Sequence, residues 1–228
     1  MQKRLARKLD LERMLSKVKP HPTPTPSLEQ YTISAKAAAT MLYIAAYADG
    51  CVVGKNVLDL GCGTGRLALG AAFLGANSVT GMDIDKKAVK TARENASEVG
   101  LNRKLQWVAA DIDAIHGRFD TVLQNPPFGV QKRGADRKFI IKALELGTVT
   151  YSLHKRSGED SSLLRMIKTS GDGAIKVSAS PFMQRFVGEN GGRIDAVYAL
   201  LMSVPHMFSF HTEKMHDFVV DLYVIRKE

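Results

Sequence analysis

The chain has 228 residues, of which 45% are hydrophobic and 24% are charged, a composition typical of one globular domain with short appendages. No uncharged apolar run reaches the length of a membrane span, and the N-terminus is too basic for a secretory signal, so we expect a cytoplasmic protein without a membrane segment. Cys51 and Cys62 lie eleven residues apart (62 − 51) without a second pair, which excludes a CxxC redox unit and a four-ligand zinc site.

Positive charge is concentrated in two segments. Lysine and arginine exceed the acidic residues by nine (32 − 23), and residues 1–20 carry seven basic and two acidic side chains. Residues 131–138 carry four basic and one acidic side chain. Such a surplus attracts a polyanion and favours nucleic acid as the substrate. A basic surface that only keeps the protein in solution is the alternative.

The N-terminal part predicts a basic helix, a linker and a second helix. Apolar residues recur at helical spacing before the first proline, and alternating prolines make residues 20–26 an extended linker. We therefore place a basic helical arm with its proline-rich linker at 1–26 and the main domain at 27–228. An alanine-rich helix is predicted over about 34–47.

Three polar residues lie between this linker and the alanine-rich helix. They are Gln30, Tyr31 and Thr32. From their spacing alone they form either a lid over a ligand or a cap on the helix that follows, and both interpretations stay open.

A glycine loop follows the first predicted strand. Residues 56–60 form a short apolar strand that leads into Gly-Cys-Gly-Thr-Gly, and a helix is predicted over 66–74. Glycines in such a turn let the backbone approach a ligand closely at the N-terminus of a helix. The glycines are Gly61, Gly63 and Gly65, and Asp59 precedes them on the strand.

Acidic residues also follow the next two predicted strands. The strand over 78–82 ends at Asp83, twenty positions after Gly63 (83 − 63), a spacing that suits a carboxylate bound to ribose hydroxyls. A helix over about 86–99 and a strand over 105–108 follow. After them, Asp111 can accept a hydrogen bond from the amino group of a bound adenine, and the Ile112 N–H can donate to its ring. A helix cap or turn is the alternative role of the acid.

Three cofactor classes compete for the glycine loop. A P-loop requires a lysine after its last glycine, and none is present. A dinucleotide fold requires Gly-x-Gly-x-x-Gly, but here the third glycine comes one place early and Arg66 occupies its position. S-adenosylmethionine remains, with its methionine part along the loop and its ribose at the acid after the second strand. The combination of this loop with Asp59, Asp83 and Asp111 favours it.

The fourth predicted strand, 119–123, ends in Gln-Asn-Pro-Pro-Phe-Gly. The prolines Pro126 and Pro127 stop the sheet and hold Asn125 extended at the carboxyl end of the strand, where open α/β sheets bind ligands. The Asn125 side-chain oxygen and the Pro126 carbonyl can accept both hydrogens of a planar exocyclic amine, while Phe128 stacks on the ring. A turn whose prolines only end the strand is the alternative.

The rest of the chain completes the predicted sheet. A helix is expected over about 137–146, a strand over 149–153, and two closing strands over 195–202 and 217–225. Between them, the glycine-studded stretch 157–192 predicts a flexible insertion with one short helix near its proline.

Basic and aromatic residues near the Asn-Pro-Pro-Phe corner are candidates for substrate contact. The candidates are Lys132, Arg133, Tyr151, His154 and Lys155. His154 stands next to two cations, so we expect it to contact substrate or to pack rather than to act as a base. His206 and His211 lack Cys or carboxylate partners at metal-ligand spacing, so we expect no metal site.

These motifs together resemble the methyltransferase-like-5 type of RNA adenine-N6 methyltransferase. The resemblance covers nearly the whole chain except 157–192. It rests on residues 28–32 (Leu-Glu-Gln-Tyr-Thr), 59–65, 83–85, 125–129 and 151–155 (Tyr-Ser-Leu-His-Lys), of which the first and the last are the narrowest motifs. It implies an α/β fold, the Rossmann-like seven-stranded class I methyltransferase sandwich, with a mostly parallel sheet and an antiparallel last strand.

The resemblance also implies a cofactor, a substrate and a partner. The cofactor is S-adenosylmethionine, bound with the help of Gln30, Tyr31, Thr32 and Asn125, and the substrate is one adenosine of small-subunit ribosomal RNA. Eukaryotic members of the family work with a small zinc-binding activator that adds a strand to the sheet. The linker 20–26 and the insertion 157–192 depart from the family pattern.

The predicted reaction is direct methyl transfer to adenine N6. Asn125 and Pro126 position the amine, and Phe128, with Tyr151 as a second candidate, stacks on the extruded base. One rival is methylation of a glutamine amide in a protein, which also uses Asn-Pro-Pro and an aromatic, usually tyrosine. A second rival is an RNA-binding module without turnover, against which the intact glycine loop and acids argue.

Overall fold

The computed structural model describes residues 6–25, 28–30, 32–129, 134–156, 158, 161–171, 173–205 and 215–228. They form one mixed sheet with flanking helices. In chain order the elements are α1 (Lys8–Ser16), α2 (Ala35–Tyr43), a π-helical turn (Ile44–Ala48), β1 (Asn56–Leu60), α3 (Arg66–Leu74), β2 (Ser78–Asp83), α4 (Lys86–Glu98), β3 (Leu105–Ala109), β4 (Phe119–Gln124), α5 (Ala135–Leu146), β5 (Gly147–Lys155), α6 (Ser161–Thr169), β6 (Ala174–Lys176), α7 (Pro181–Glu189), β7 (Gly192–Pro205) and β8 (Met215–Lys227).

The strands are ordered β3-β2-β1-β4-β5-β8-β7-β6 in the sheet. β1 to β5 are mutually parallel, whereas β8 runs antiparallel to both β5 and β7. This arrangement confirms the predicted α/β Rossmann-like fold with an antiparallel last strand. The predicted count of seven strands is wrong, because β6 pairs antiparallel with β7 as an eighth strand. Its three residues are too few to show an alternating pattern in the sequence.

The parallel strands are apolar because packed elements cover both of their faces. On one face, Val57 and Leu123 belong to the main core, which they share with α2 and α3. On the other face, Leu58 and Val122 pack in a second core with Leu146 of α5. Alternate residues of one strand therefore pack into two different hydrophobic cores, one on each face of the sheet.

The described part of the predicted N-terminal arm belongs to the core. Leu11 and Leu15 of α1 are fully buried in the main cluster. Helix α3 carries Gly70 at this contact, and a Cβ there would lie 2.2 Å from Leu42 Cδ1 of α2. The structure thus differs from the predicted separate arm, because the apolar stripe of α1 is buried by α2 and α3.

The predicted flexible insertion 157–192 also differs from the structure. Its described residues form α6, β6 and α7, of which only the helix near Pro181 was expected. α6 buries Leu163 and Ile167, and α7 buries Met183 and Val187, so both helices pack onto the sheet. No helix among the residues that the structure describes is long and apolar enough to cross a membrane.

Candidate active site

A cavity of about 370 Å³ lies at the carboxyl ends of β1, β2 and β4. It brings together candidate site residues from five separate segments of the sequence. Those that line it are Gln30, Thr32, Asp59, Gly61, Gly63, Asp83, Asp111, Ile112, Asn125 and Pro127. Gly65, Pro126 and Phe128 are not among its lining residues, and Tyr31, Lys132 and Arg133 lie outside the described part of the chain.

The glycine loop forms one wall of this cavity. Gly63 has φ of +53°, and a Cβ built there would meet no atom within 4 Å, so its open side is available to a ligand. Gly65 has φ of +86°, and a Cβ there would lie 2.5 Å from Trp107 of β3. The sequence predicted a cofactor contact for Gly65, whereas the structure gives a packing reason for this glycine.

Asp59 is buried below the loop. Its Oδ2 accepts a hydrogen bond from the Ala68 N–H at 2.8 Å and so holds the first turn of α3. Its Oδ1 is buried and has no hydrogen-bond partner among the described residues. Burial raises the pKa of this carboxyl group to about 7. A buried acceptor without a partner at the cavity fits a ligand that carries a hydrogen-bond donor, such as an ammonium group.

Asp83 organises the loop from the end of β2. Its Oδ2 accepts from the Gly63 N–H at 2.8 Å, and its Oδ1 accepts from the Asp85 N–H at 2.9 Å. Burial raises the pKa of this carboxyl group. Each carboxylate oxygen has a second lone pair that can accept from a further donor. The predicted contact with ribose hydroxyls is therefore compatible with this geometry and stays a prediction.

Residues 19–25 and 28–30 form one side of the cavity through His21 and residues 28–30, and they are called the N-terminal strap. Asp85 anchors it, because its Oδ2 lies 3.0 Å from His21 Nε2 and accepts from Gln30 Nε2 at 2.8 Å. The Gln30 Oε1 accepts from the Thr25 N–H at 2.7 Å. His21 also lines the cavity, and no spacing in the sequence pointed to it.

The buried side chain of Asn95 and the half-buried side chain of Arg66 hold the strap and the residues next to it. Asn95 of α4 donates to the Lys19 carbonyl at 3.2 Å and to the Thr64 carbonyl at 3.0 Å, which links the strap to the glycine loop. Arg66 donates to the Val18 carbonyl at 2.9 Å and to the Ile33 carbonyl, and burial lowers its pKa to about 10.

The structure distinguishes the two roles considered for Gln30 and Thr32, a lid over a ligand and a cap on the following helix. Ser34 is the N-cap of α2, since its side chain accepts from the Ala37 N–H at 3.2 Å. Gln30 and Thr32 line the cavity instead. The geometry therefore supports a lid over a ligand rather than a helix cap.

Asp111 caps a turn and also lies at the cavity, so its predicted contact with the adenine amino group stays a prediction. Its side chain accepts from the Asp113 N–H at 3.0 Å, which caps the short turn after β3, and it also lines the cavity. Lys138 of α5 lies 3.3 Å from the Asp111 carboxylate and 2.8 Å from that of Asp113. Ile112 is buried at the same wall.

The Asn-Pro-Pro-Phe corner faces the cavity at the end of β4. Asn125 and Pro127 line it beside the glycine loop. The Phe128 ring packs edge-to-face with Phe218 of β8, with centroids 6.1 Å apart. Lys155 Nζ lies 5.8 Å from the Phe218 ring centroid. Phe218 was missed by the sequence analysis, because it stands ninety positions after Phe128 (218 − 128).

Two predicted substrate contacts on β5 are wrong. Tyr151 is fully buried and donates to Asp49 Oδ2 at 2.6 Å, so no face of its ring is left for a base. His154 is also buried, with Nε2 2.7 Å from Ser152 Oγ. Both belong to a strand that neighbouring strands and packed side chains enclose. Lys155 at the end of the strand is exposed, as a substrate contact requires.

The fold and the cavity define a class I methyltransferase that uses S-adenosylmethionine. The residues present fit this cofactor, since Asp59 has an unpaired buried acceptor at the cavity and Gly63 leaves room beside the loop. The sequence profile of the methyltransferase small domain family matches residues 37–148. The predicted enzyme class and cofactor are thereby confirmed.

Similarity to known proteins extends over nearly the whole chain. The rRNA N(6)-adenosine-methyltransferase METTL5 of Danio rerio is 33% identical over 93% of this chain and 95% of its own length. MJ0284 of Methanocaldococcus jannaschii is 35% identical over 98% of this chain and 95% of its own length. The crystal structure of PH1948 from Pyrococcus horikoshii gives a TM-score of 0.80 at 34% identity and covers 98% of this chain and 99% of that chain. The chain belongs to the METTL5 family.

Proposed function

We propose that this protein methylates N6 of one adenosine in RNA, and that the adenosine lies in small-subunit ribosomal RNA. The single observation that carries the proposal is the position of Asn125 in the same cavity as the glycine loop and the buried acids. The family relationship supports RNA as the substrate, because the zebrafish relative carries the name of an rRNA N(6)-adenosine methyltransferase.

The residues of the corner account for the choice of an exocyclic amine. The Asn125 side-chain oxygen and the Pro126 carbonyl accept the two amino hydrogens of adenine. Because the nitrogen lone pair is delocalised into the ring, two fixed acceptors that draw the nitrogen towards pyramidal geometry increase its nucleophilicity. The prolines keep both acceptors in place before substrate binds, so little reorganisation is needed.

The chemistry requires little else from the protein. Bound S-adenosylmethionine supplies an activated methyl group on a sulfonium. Asp59, Asp83 and the strap residues hold the cofactor, and the strap excludes water from the cavity. The amine loses one proton when it is alkylated, and this proton is acidic enough to leave to solvent without a dedicated base.

The acceptor base is held on the side of the corner that faces β8. Phe128 supplies a ring for stacking, and Phe218 fixes that ring through their edge-to-face contact. Lys155, exposed at the end of β5, places a positive charge beside these rings for a phosphate group. The predicted contacts by Lys132 and Arg133 stay part of this proposal.

The decisive experiment is transfer of a labelled methyl group to total RNA and, in a separate reaction, to total protein from a strain that lacks the enzyme. The RNA species are separated before nucleoside analysis, and the protein is hydrolysed for amino-acid analysis. Label in N6-methyladenosine of the small-subunit RNA supports the proposal. Label in N6-methyladenosine of another RNA would refute the ribosomal target alone. Label in protein, recovered as methylated glutamine, would instead establish the rival glutamine methyltransferase. Asn125→Ala serves as the inactive control.

The activator subunit that the family resemblance implies is part of the proposal. An added strand needs an edge of the sheet, and β3 and β6 are the outer strands in the part of the chain that the structure describes. Activity of the purified chain alone, unchanged by a cell extract, would show that no such subunit is required.

A further inference from the structure

Helix α7 presents two stacked aromatic side chains. The Phe182 and Phe186 rings lie one helical turn apart, with centroids 5.9 Å apart and an angle of 11° between their planes. Phe182 is 40% exposed. Phe186 is partly buried against a cluster that includes Met183 and Val187. The pair therefore has a fixed inner ring and an exposed outer ring.

A guanidinium group extends this pair. The Arg137 Cζ lies 4.8 Å from the centroid of the Phe182 ring, within the range of a cation–π contact. Arg137 belongs to the first turn of α5 and is exposed. Arg137, Phe182 and Phe186 together are called the stacking column.

The stacking column adjoins the candidate active site through α5. Gly134, Ala135 and Lys138 line the cavity, and Arg137 stands between them in the sequence. The Arg137 N–H donates to the Gly134 carbonyl at 3.2 Å, so the backbone that carries the column is continuous with the cavity wall.

Packing between α5 and α7 holds the column in this position. Ile140 and Leu144 of α5 share a buried cluster with Met183 and Val187 of α7. These apolar residues account for the attachment of α7 to the domain. Phe182 does not belong to that cluster and is 40% exposed, so the exposed part of its side chain and the Arg137 guanidinium are available to a ligand.

We propose that the stacking column binds the base of an unpaired nucleotide that flanks the target adenosine. The inference rests on the proposed function as an RNA methyltransferase. Nucleobases stack on phenylalanine rings and on guanidinium planes, and such contacts tolerate any base. Arg137 adds a positive charge for the phosphate, and Arg185 on the exposed side of α7 adds another. When the base next to the target adenosine is bound in this way, the RNA strand is held in place while the target base is extruded.

Fluorescence anisotropy tests whether the stacking column binds a base. The probe is a fluorescein-labelled oligouridylate with one central adenosine, titrated at constant salt. Phe182→Leu keeps an apolar side chain and removes the ring, and we expect the Kd of this variant for the oligonucleotide to rise about 5- to 100-fold. Phe182→Trp should bind as tightly as the wild type. Arg137→Lys keeps the charge but loses the plane, so its Kd should also rise.

Matched controls separate stacking from general surface effects. Met166→Leu changes another exposed apolar side chain, 55% exposed on α6, and should leave the Kd unchanged. S-adenosylmethionine affinity and thermal melting report whether each variant is folded. Should Phe182→Leu melt early, Arg137→Lys carries the test, because its side chain is exposed.

Equal affinities of Phe182→Leu and Met166→Leu for the oligonucleotide would refute the proposal that the stacking column binds a base. The readout is binding, so it is independent of turnover. If Phe182→Leu weakens binding but the wild type forms no N6-methyladenosine, the proposed function is refuted and the proposed role of the stacking column is supported. Methylation of RNA together with unchanged binding by Phe182→Leu would refute the column alone.

Discussion

Replacement of Asp83 by alanine should weaken S-adenosylmethionine binding while the sheet stays folded. The carboxylate accepts from the Gly63 N–H at 2.8 Å and from the Asp85 N–H at 2.9 Å, so it shapes the glycine loop and the anchor of the strap. Two hydrogen bonds to a charged group contribute about 3–6 kcal/mol before the cost of burying the carboxylate is subtracted. Burial raises the pKa of Asp83, so that cost is substantial.

A net loss of about 2–3 kcal/mol corresponds to a rise of about 30- to 150-fold in the dissociation constant. Calorimetric titration with S-adenosylmethionine measures it. Asp83→Asn keeps one acceptor, so its affinity for S-adenosylmethionine should lie between those of Asp83→Ala and the wild type. Asp113→Ala is the matched control, because it removes an exposed carboxylate that pairs with Lys138 at 2.8 Å and leaves the loop intact. Wild-type affinity in Asp83→Ala would refute this reasoning.

Three further predictions test other parts of the site. Asn125→Ala should still bind S-adenosylmethionine through Asp59, Asp83 and the strap, but lose about 10²- to 10³-fold in turnover, measured by label transfer to RNA, because a preorganised acceptor is lost; a normal rate would contradict its role. Burial raises the pKa of Asp59 to about 7, so its contribution to stability is present below about pH 4 and is lost as the pH rises to about 7, on the order of 4 kcal/mol. The free energy of unfolding of Asp59→Asn in urea should lack this dependence on pH. If its pH profile is identical to that of the wild type, the pKa of Asp59 is not raised. Phe218→Leu removes the edge-to-face contact with Phe128, worth about 0.5–1.5 kcal/mol, and should raise the KM for RNA about 2- to 10-fold with cofactor affinity unchanged; an unaltered KM would separate Phe218 from the substrate site.

Elements with local signals could be predicted closely. Helix α3 has the predicted bounds Arg66–Leu74, because Gly65 and Gly75, both at positive φ, mark its ends in the sequence. The cavity residues after β1, β2, β3 and β4 were also predicted, since the carboxyl ends of parallel strands meet at one edge of the sheet.

Contacts between distant parts of the chain could not be predicted in this way. His21 meets Asp85 only because the strap forms one side of the cavity, and Phe218 meets Phe128 only because β8 pairs with β5. Tyr151 and His154 were misassigned for a related reason. Their polar groups suggested a surface, but Asp49 accepts from the Tyr151 hydroxyl and the buried Ser152 hydroxyl lies within hydrogen-bond distance of His154 Nε2.

The position of β8 between β5 and β7 has a consequence for biosynthesis. β5 and β7 do not pair with each other in the part of the chain that the structure describes, so the sheet is continuous from β5 to β7 and β6 only when β8 lies between them. Completion of the sheet is therefore a non-local step, because β8 follows β7 in the sequence and yet must pair with β5 as well. While β8 is still inside the ribosome, β7 and β6 have no strand through which to join the parallel strands, so we expect the enzyme to become active only after β8 has left the exit tunnel.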